Sequence, residues 1–150
     1  MEDEKDKIPT PIELFGVECG KGWYDLIRPI VEYVEKYNEE NNLSEEDKIR
    51  FVQIKEKWGG LRIYTNYGTK ELHDMIDKAE EESYNVCENC GLTADVGLKI
   101  DGWNQTLCHY CATDLALERN YPVIWRSNET GKTYTISCDG TESVTNIEEF

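Results

Sequence analysis

Basic residues are scarce in this chain. Sixteen Lys and Arg stand against 31 Asp and Glu, a formal charge of −15. That shortage argues against a phosphate-backbone binder, because nucleic acids are met by clustered cations. Histidine is scarcer still, with only His73 and His109. An HNH-type nuclease needs more, and no Ser-His-Asp or Cys-His set stands out. No apolar run approaches the ~18 residues of a membrane span. The opening MEDEKDKIPTP has neither the basic flank nor the apolar stretch of a secretion signal. The expectation is a cytoplasmic, non-catalytic protein with no direct grip on membrane or nucleic acid, whose partner is a protein with a basic surface.

What is present supports a folded chain. Four Trp, nine Tyr and three Phe in 150 residues supply bulky core material. A chain of this length buries roughly 70% of its unfolded surface. The acidity is distributed: residues 1–86 hold 12 basic and 21 acidic side chains, and the remainder holds 4 and 10. Carboxylates on a folded frame make a preorganised field that attracts a basic partner.

Periodicity predicts an α+β fold. Residues 1–13 read as a loose leader. In GWYDLIRPIVEYVEKYNEENN, Trp23, Leu26, Ile27, Ile30, Val34 and Tyr37 recur at three- and four-residue steps, with Glu32, Glu35 and Glu39 outward. Pro29 kinks this helix or marks its first turn, and Asn38, Asn41 and Asn42 signal its end. IRFVQIKEKWGGLRIYT then reads as a hairpin turning at Gly59-Gly60. Val52, Ile54, Trp58, Leu61 and Ile63 would share the core face, with Glu56 at its margin. Lys55, Lys57, Arg62 and Tyr64 would share the other face, a basic cluster that is a candidate site for an anion or a partner's acidic patch. TKELHDMIDKAEEESYNV gives a second helix, with Thr69 as N-cap and Leu72, Ile76 and Ala79 inward.

The strongest signal follows. Cys87 and Cys90 form one C-x-x-C pair, and Cys108 and Cys111 form a second after seventeen residues. Two such pairs complete the tetrahedral thiolate set that zinc prefers, and four ligands leave no open position, so one structural zinc per chain is expected. Gly91 suits a knuckle turn, VGLKIDGWNQTL a hairpin turning near Asp101-Gly102, and CATDLALERN a helix carrying the second pair at its N-terminal end. Together they predict a treble clef, with a zinc ribbon as the alternative and iron–sulfur ligation open. Two disulfides would need an oxidising compartment. His109 is expected to lie outside the ligand set and His73 in solvent. Cys19 and Cys138 are expected to be small buried hydrophobes.

GVECGKGW fails as a phosphate loop: Gly16 and Gly20 have three residues between them, and Gly22 stands where a metal-binding hydroxyl should be. These glycines read as a turn launching the Trp23 helix. In combination, ECGKGW, KEKWGGLRIY, CENCG and GWNQTLCHYC resemble a group of small proteins encoded by tailed bacteriophages and prophages, over roughly residues 16 to 111. The resemblance implies a protein made in the cytoplasm of a bacterial host during infection, and brings no catalytic residue with it.

After residue 120, Val123–Arg126 and Lys132–Ser137 read as strands around a turn at Asn128–Gly131, and TESVTNIEEF as a frayed tail anchored by Phe150. The predicted layout is a leader (1–13), a helix–hairpin–helix unit (14–86), a zinc module (87–120) and a C-terminal hairpin (121–150), packed into one domain. The function expected is inhibition or modulation of a host protein, such as a defence or nucleic-acid-handling factor. The alternatives are a zinc-ribbon regulator associated with nucleic acid or transcription and a sponge for a small molecule or nucleotide. The sequence leaves the oligomeric state open.

Overall fold

Trp23 ends a single 3-10 turn, Lys21–Trp23, that leads into α1 (Tyr24–Glu40). The computed structural model describes residues 17–145, so the expected leader and the Phe150 anchor lie outside the described residues. Helix α1 buries Ile27, Ile30, Val31 and Val34 as its periodicity requires. Pro29 lies inside the helix, in its second turn, so it does not mark the start. The helix ends at Asn41, and Asn42 adopts φ +48°, a backbone that asparagine tolerates. Asn38 does more than mark the end. Its amide donates to the Ile49 carbonyl at 3.0 Å and accepts from the Ile49 N–H at 2.9 Å, fixing the lead into the first strand.

Strands β1 (Phe51–Lys57) and β2 (Gly60–Thr65) form the predicted hairpin, with its turn one residue earlier than expected. Lys57 pairs with Gly60, so Trp58 (φ +54°) and Gly59 (φ +85°) make the turn, a type I′ geometry. Packing explains the shift. A Cβ on Gly60 would lie 2.3 Å from the Tyr84 hydroxyl, and one on Gly59 would lie 2.6 Å from Leu98. Both glycines are pressed against neighbours, one in the strand and one in the turn. Trp58 is thereby excluded from the core and stands exposed. Val52 is exposed as well, because the register slips between Phe51 and Gln53 and Phe51 takes the inward position.

Helix α2 (Lys70–Ser83) is capped as predicted, with the Thr69 hydroxyl accepting from the Leu72 N–H. It packs on α1 and covers β2. Its Ser83 hydroxyl and Glu80 carboxylate accept from the Leu61 and Ile63 N–H groups, so the outer edge of β2 is closed by side chains rather than by another strand. On the other edge, Glu18 bonds to β1 through backbone groups of Ile54 and Glu56.

The remaining described residues build an antiparallel sheet of order β4-β3-β5-β6-β7: β3 (Val96–Lys99), β4 (Gln105–Cys108), β5 (Val123–Ser127), β6 (Thr133–Ile136) and β7 (Glu142–Thr145). Helix α3 (His109–Arg119) runs straight on from β4 and ends at Asn120, at φ +57°. The expected C-terminal hairpin is β5–β6, and β5 pairs with β3, so residues 121 onward extend the sheet that carries the cysteines. Residues 142–145, expected to fray, pair with β6 as a strand. Cys138 is exposed in the turn before it, which corrects the reading of a buried hydrophobe.

The loop between β3 and β4 is braced electrostatically. Asp101 pairs with Lys99 and with Arg119, both at 2.8 Å, and accepts from the Ile124 N–H at 2.7 Å. The buried Lys99 ammonium also donates to the Trp103 carbonyl. Burial tends to raise the Asp101 pKa, but the Arg119 and Lys99 hydrogen bonds outweigh it, and the carboxyl lies below its ordinary value.

Candidate metal centre

The first cysteine pair sits on a tight turn between α2 and β3. The Gly91 N–H donates to the Cys87 carbonyl and the Cys87 N–H to the Leu92 carbonyl, both at 2.8 Å. Gly91 takes φ +85°, the conformation for which its position was read. The second pair sits where β4 becomes α3: Cys108 is the N-cap and Cys111 lies in the first turn, its N–H directed at the Cys108 sulfur. Sequence separation is thus converted into proximity by one hairpin, β3–β4.

The ligand atoms of Cys87, Cys90, Cys108 and Cys111 all lie within 4.8 Å of one another, and all four thiols are free. The Cys90 and Cys108 sulfurs are 3.7 Å apart. Zinc–thiolate bonds of about 2.3 Å in a tetrahedron give a sulfur–sulfur edge of about 3.8 Å, so the four thiols fit one metal ion and are compatible with zinc.

The thiols differ in their readiness to ionise. Burial pushes Cys87 up, but backbone N–H groups of Cys108, Cys90 and Asn89 outweigh it and hold the thiol below its ordinary value. Burial, reinforced by the charge on Cys87, pushes Cys108 up to about 11 and Cys111 higher still. One thiolate forms readily here, and four together need a cation. The Asn89 amide donates to the Cys111 sulfur at 3.2 Å, an outer contact that orients the ligand. His109 stands outside the ligand set: its Nε2 lies 2.6 Å from the Glu142 carboxylate and its ring packs on Trp125. His73 is exposed, as expected.

The glycine segment read as a launching turn also clamps the cysteine knuckle. The Gly22 N–H donates to the Glu88 carbonyl at 2.8 Å, the Gly20 N–H to the Glu88 carboxylate at 2.9 Å, and the Trp23 indole to the Val86 carbonyl at 2.8 Å. A Cβ on Gly22 would fall 2.1 Å from the Cys87 carbonyl oxygen, which is why glycine stands there. Glu88, between the two ligands, is buried. Burial and the nearby Glu56 raise its pKa despite the Gly20 bond. Cys19, expected to be buried, is only half-buried, packed against the first hydrophobic cluster, and its thiol is pushed up to about 12 by burial and by the charges of Glu88 and Glu56.

A second junction joins the hairpins. The Thr106 hydroxyl donates to the Gly59 carbonyl at 2.5 Å, and the Trp103 indole donates to Glu56 at 2.8 Å. Glu56 also accepts from the Gly59 N–H, so the carboxylate that interrupted the apolar pattern caps the turn and ties it to the β3–β4 loop. The segments ECGKGW, KEKWGGLRIY, CENCG and GWNQTLCHYC therefore meet at one seam.

Of the basic cluster, strand alternation places Lys55, Lys57, Arg62 and Tyr64 on the outer face of the first hairpin, with Lys55 opposite Arg62. Arg62 donates to the Tyr84 hydroxyl, and the Lys57 ammonium lies 4.7 Å from the centre of the Trp58 ring. The partner rings Trp58 and Trp103 were not read from the sequence as part of any site. Alternation directs Trp58 inward, and the one usable signal against that is an indole beside Gly-Gly. Among the described residues no helix is long and apolar enough to cross a membrane. The chain matches no family model, no curated protein and no solved structure.

Proposed function

We propose that Cys87, Cys90, Cys108 and Cys111 hold one structural zinc in a treble clef, and that the protein acts by binding, presenting the acidic faces of α1 and α2 to a basic partner protein. Knuckle, hairpin and strand-to-helix junction support the treble clef over a zinc ribbon, in which both pairs would sit on hairpin turns. A metal with a full thiolate set braces the fold and supplies no reaction centre.

The observation that carries the binding reading is the two-helix layer. Helix α1 carries Asp25, Glu32, Glu35, Glu39 and Glu40, and α2 carries Glu71, Asp74, Asp77, Glu80, Glu81 and Glu82. The helices' lysines are engaged within their own helix, Lys36 with Glu40, Lys70 with Asp74 and Lys78 with Glu82, so the surplus carboxylates set the sign of the surface. Partial burial and the charge of Glu32 lift the Glu35 pKa, a strain that an incoming cation would relieve. A rigid acidic face accelerates encounter with a basic partner and costs little ordering on binding. The resemblance to phage-encoded proteins supports a host protein as that partner, inhibited by occlusion in the bacterial cytoplasm.

The test is capture from bacterial lysate with the wild-type chain beside a Glu32→Lys, Glu35→Lys, Glu39→Lys variant. The expected result is a stoichiometric protein that elutes with salt and is lost from the variant, whose thermal midpoint is unchanged. Equal capture by both chains would reject the acidic face.

A further inference from the structure

Two tryptophans stand where neither core packing nor turn chemistry favours them. Trp58 occupies the first position of a type I′ turn at φ +54°, a place suited to Asn, Asp or Gly and disfavoured for a bulky side chain. It is 71% exposed, so no burial offsets that strain. Trp103, in the β3–β4 loop, is 73% exposed, yet its indole is fixed by the Glu56 carboxylate. Strain retained at an exposed aromatic residue is a pointer to a ligand.

Both rings line one cleft of about 330 Å³ with Glu56, Lys57, Gly102 and Asn104. That volume lies at the small end of ligand pockets, about 300–1,000 Å³, and suits one ring system rather than an extended chain. The polar groups set the ligand's sign. Both Glu56 oxygens already accept hydrogen bonds, from Gly59 and from Trp103. Lys57 lies at the Trp58 ring, and Lys55 and Arg62 continue along the same strand face. Among the described residues none of these three cations is in an ion pair. The charged groups lining the cleft are Glu56, whose two oxygens are already taken, and Lys57, so the ammonium is the charge left to meet a ligand, and Lys55 and Arg62 add positive charge farther along the same strand face. The wider cleft on the other side of Trp103 is a poorer anion site, because its Lys99 and Arg119 are both held by Asp101.

We propose that the Trp58–Trp103 cleft binds a nucleoside phosphate, with the base against the indole rings and the phosphate at Lys57. Indole faces accept any base, and the Asn104 side-chain amide offers a donor and an acceptor to its edge. The site is separate from the acidic helices, and its fate does not depend on theirs.

Titration of the metal-loaded full chain with adenosine monophosphate, followed by tryptophan fluorescence, tests the assignment. The expected result is a saturable change, weaker with adenosine and absent with inorganic phosphate. Trp58→Asn should lower the affinity at least about tenfold while keeping or raising the thermal midpoint, since Asn suits the turn. Lys57→Glu should weaken the nucleotide and leave adenosine unchanged. A single-stranded oligonucleotide binding more tightly than the monophosphate would identify a strand as the source of the same base and phosphate. No saturable change at millimolar nucleotide would overturn the proposal, as would undiminished binding by Trp58→Asn.

Discussion

Around α1, α2 and the first hairpin, thirteen buried side chains from Trp23 to Ala79 pack into one hydrophobic cluster, while the cluster under α3 has nine, among them Cys87, Cys108, Ala112 and Ala116. A fully buried large apolar side chain contributes about 1.5–3 kcal/mol, so buried area is the main source of cohesion in the first cluster. The second has fewer large groups, and adds four thiols gathered where one metal ion would fit and an ion triad at Asp101. Small cores commonly need such a staple. The halves differ in how they are held together, and they should fail differently.

The largest break should come from the metal. Cys87→Ser or Cys111→Ser should abolish the one-zinc stoichiometry measured by elemental analysis, removing an apparent binding energy on the order of 10–16 kcal/mol. Hydrogen exchange should then show protection lost across β3 to β6 and α3 and largely kept in α1 and α2. Uniform loss across the chain would erase the contrast.

Asp101→Asn should cost about 3 kcal/mol, because it leaves Lys99 and Arg119 without their shared counterion. The pH dependence follows from the lowered carboxyl. Its contribution is present above the unfolded value of about 3.9 and is lost as pH falls through the lower folded value. Urea midpoints measured from pH 6 downward should fall for the wild type and fall less steeply for the variant.

Gly22→Ala should have the smallest effect, about 1–3 kcal/mol, since its methyl meets the Cys87 and Glu88 carbonyls. It sharpens the comparison by touching both halves. A chelator competition should show weaker metal retention even though no ligand is changed.

Legibility followed physics that acts over short distances. The Thr69 cap, the inward Leu72, Ile76 and Ala79, the Gly91 turn and each C-x-x-C pair rest on spacing within a few residues; the cap, the apolar face and the turn are where the pattern put them, and the four thiols cluster. The turn falls at Trp58-Gly59 although local rules favour Gly-Gly, because the contacts at Gly59 and Gly60 come from Leu98 and Tyr84, remote in sequence. Val52 failed for a related reason, since a register slip inverts alternation without leaving a compositional mark. The clamp of Gly20 and Gly22 on Glu88 and the tie between Trp103 and Glu56 are tertiary hydrogen bonds, which periodicity does not encode.

The Gly20–Glu88 bond spans 68 residues and the Trp23–Val86 bond 63. Long-range closures of this kind form late, because loop entropy must be met before the contact returns anything. During synthesis at ~5–20 residues per second, the glycine segment waits roughly 5–20 s for Cys111 to be made. Once Glu88 is made its amide partners are already waiting, but the Cys87–Cys90 turn still has no second cysteine pair beside it. Under the zinc reading proposed above, metal supply while the last third of the chain emerges would set when the second cysteine pair locks onto the first.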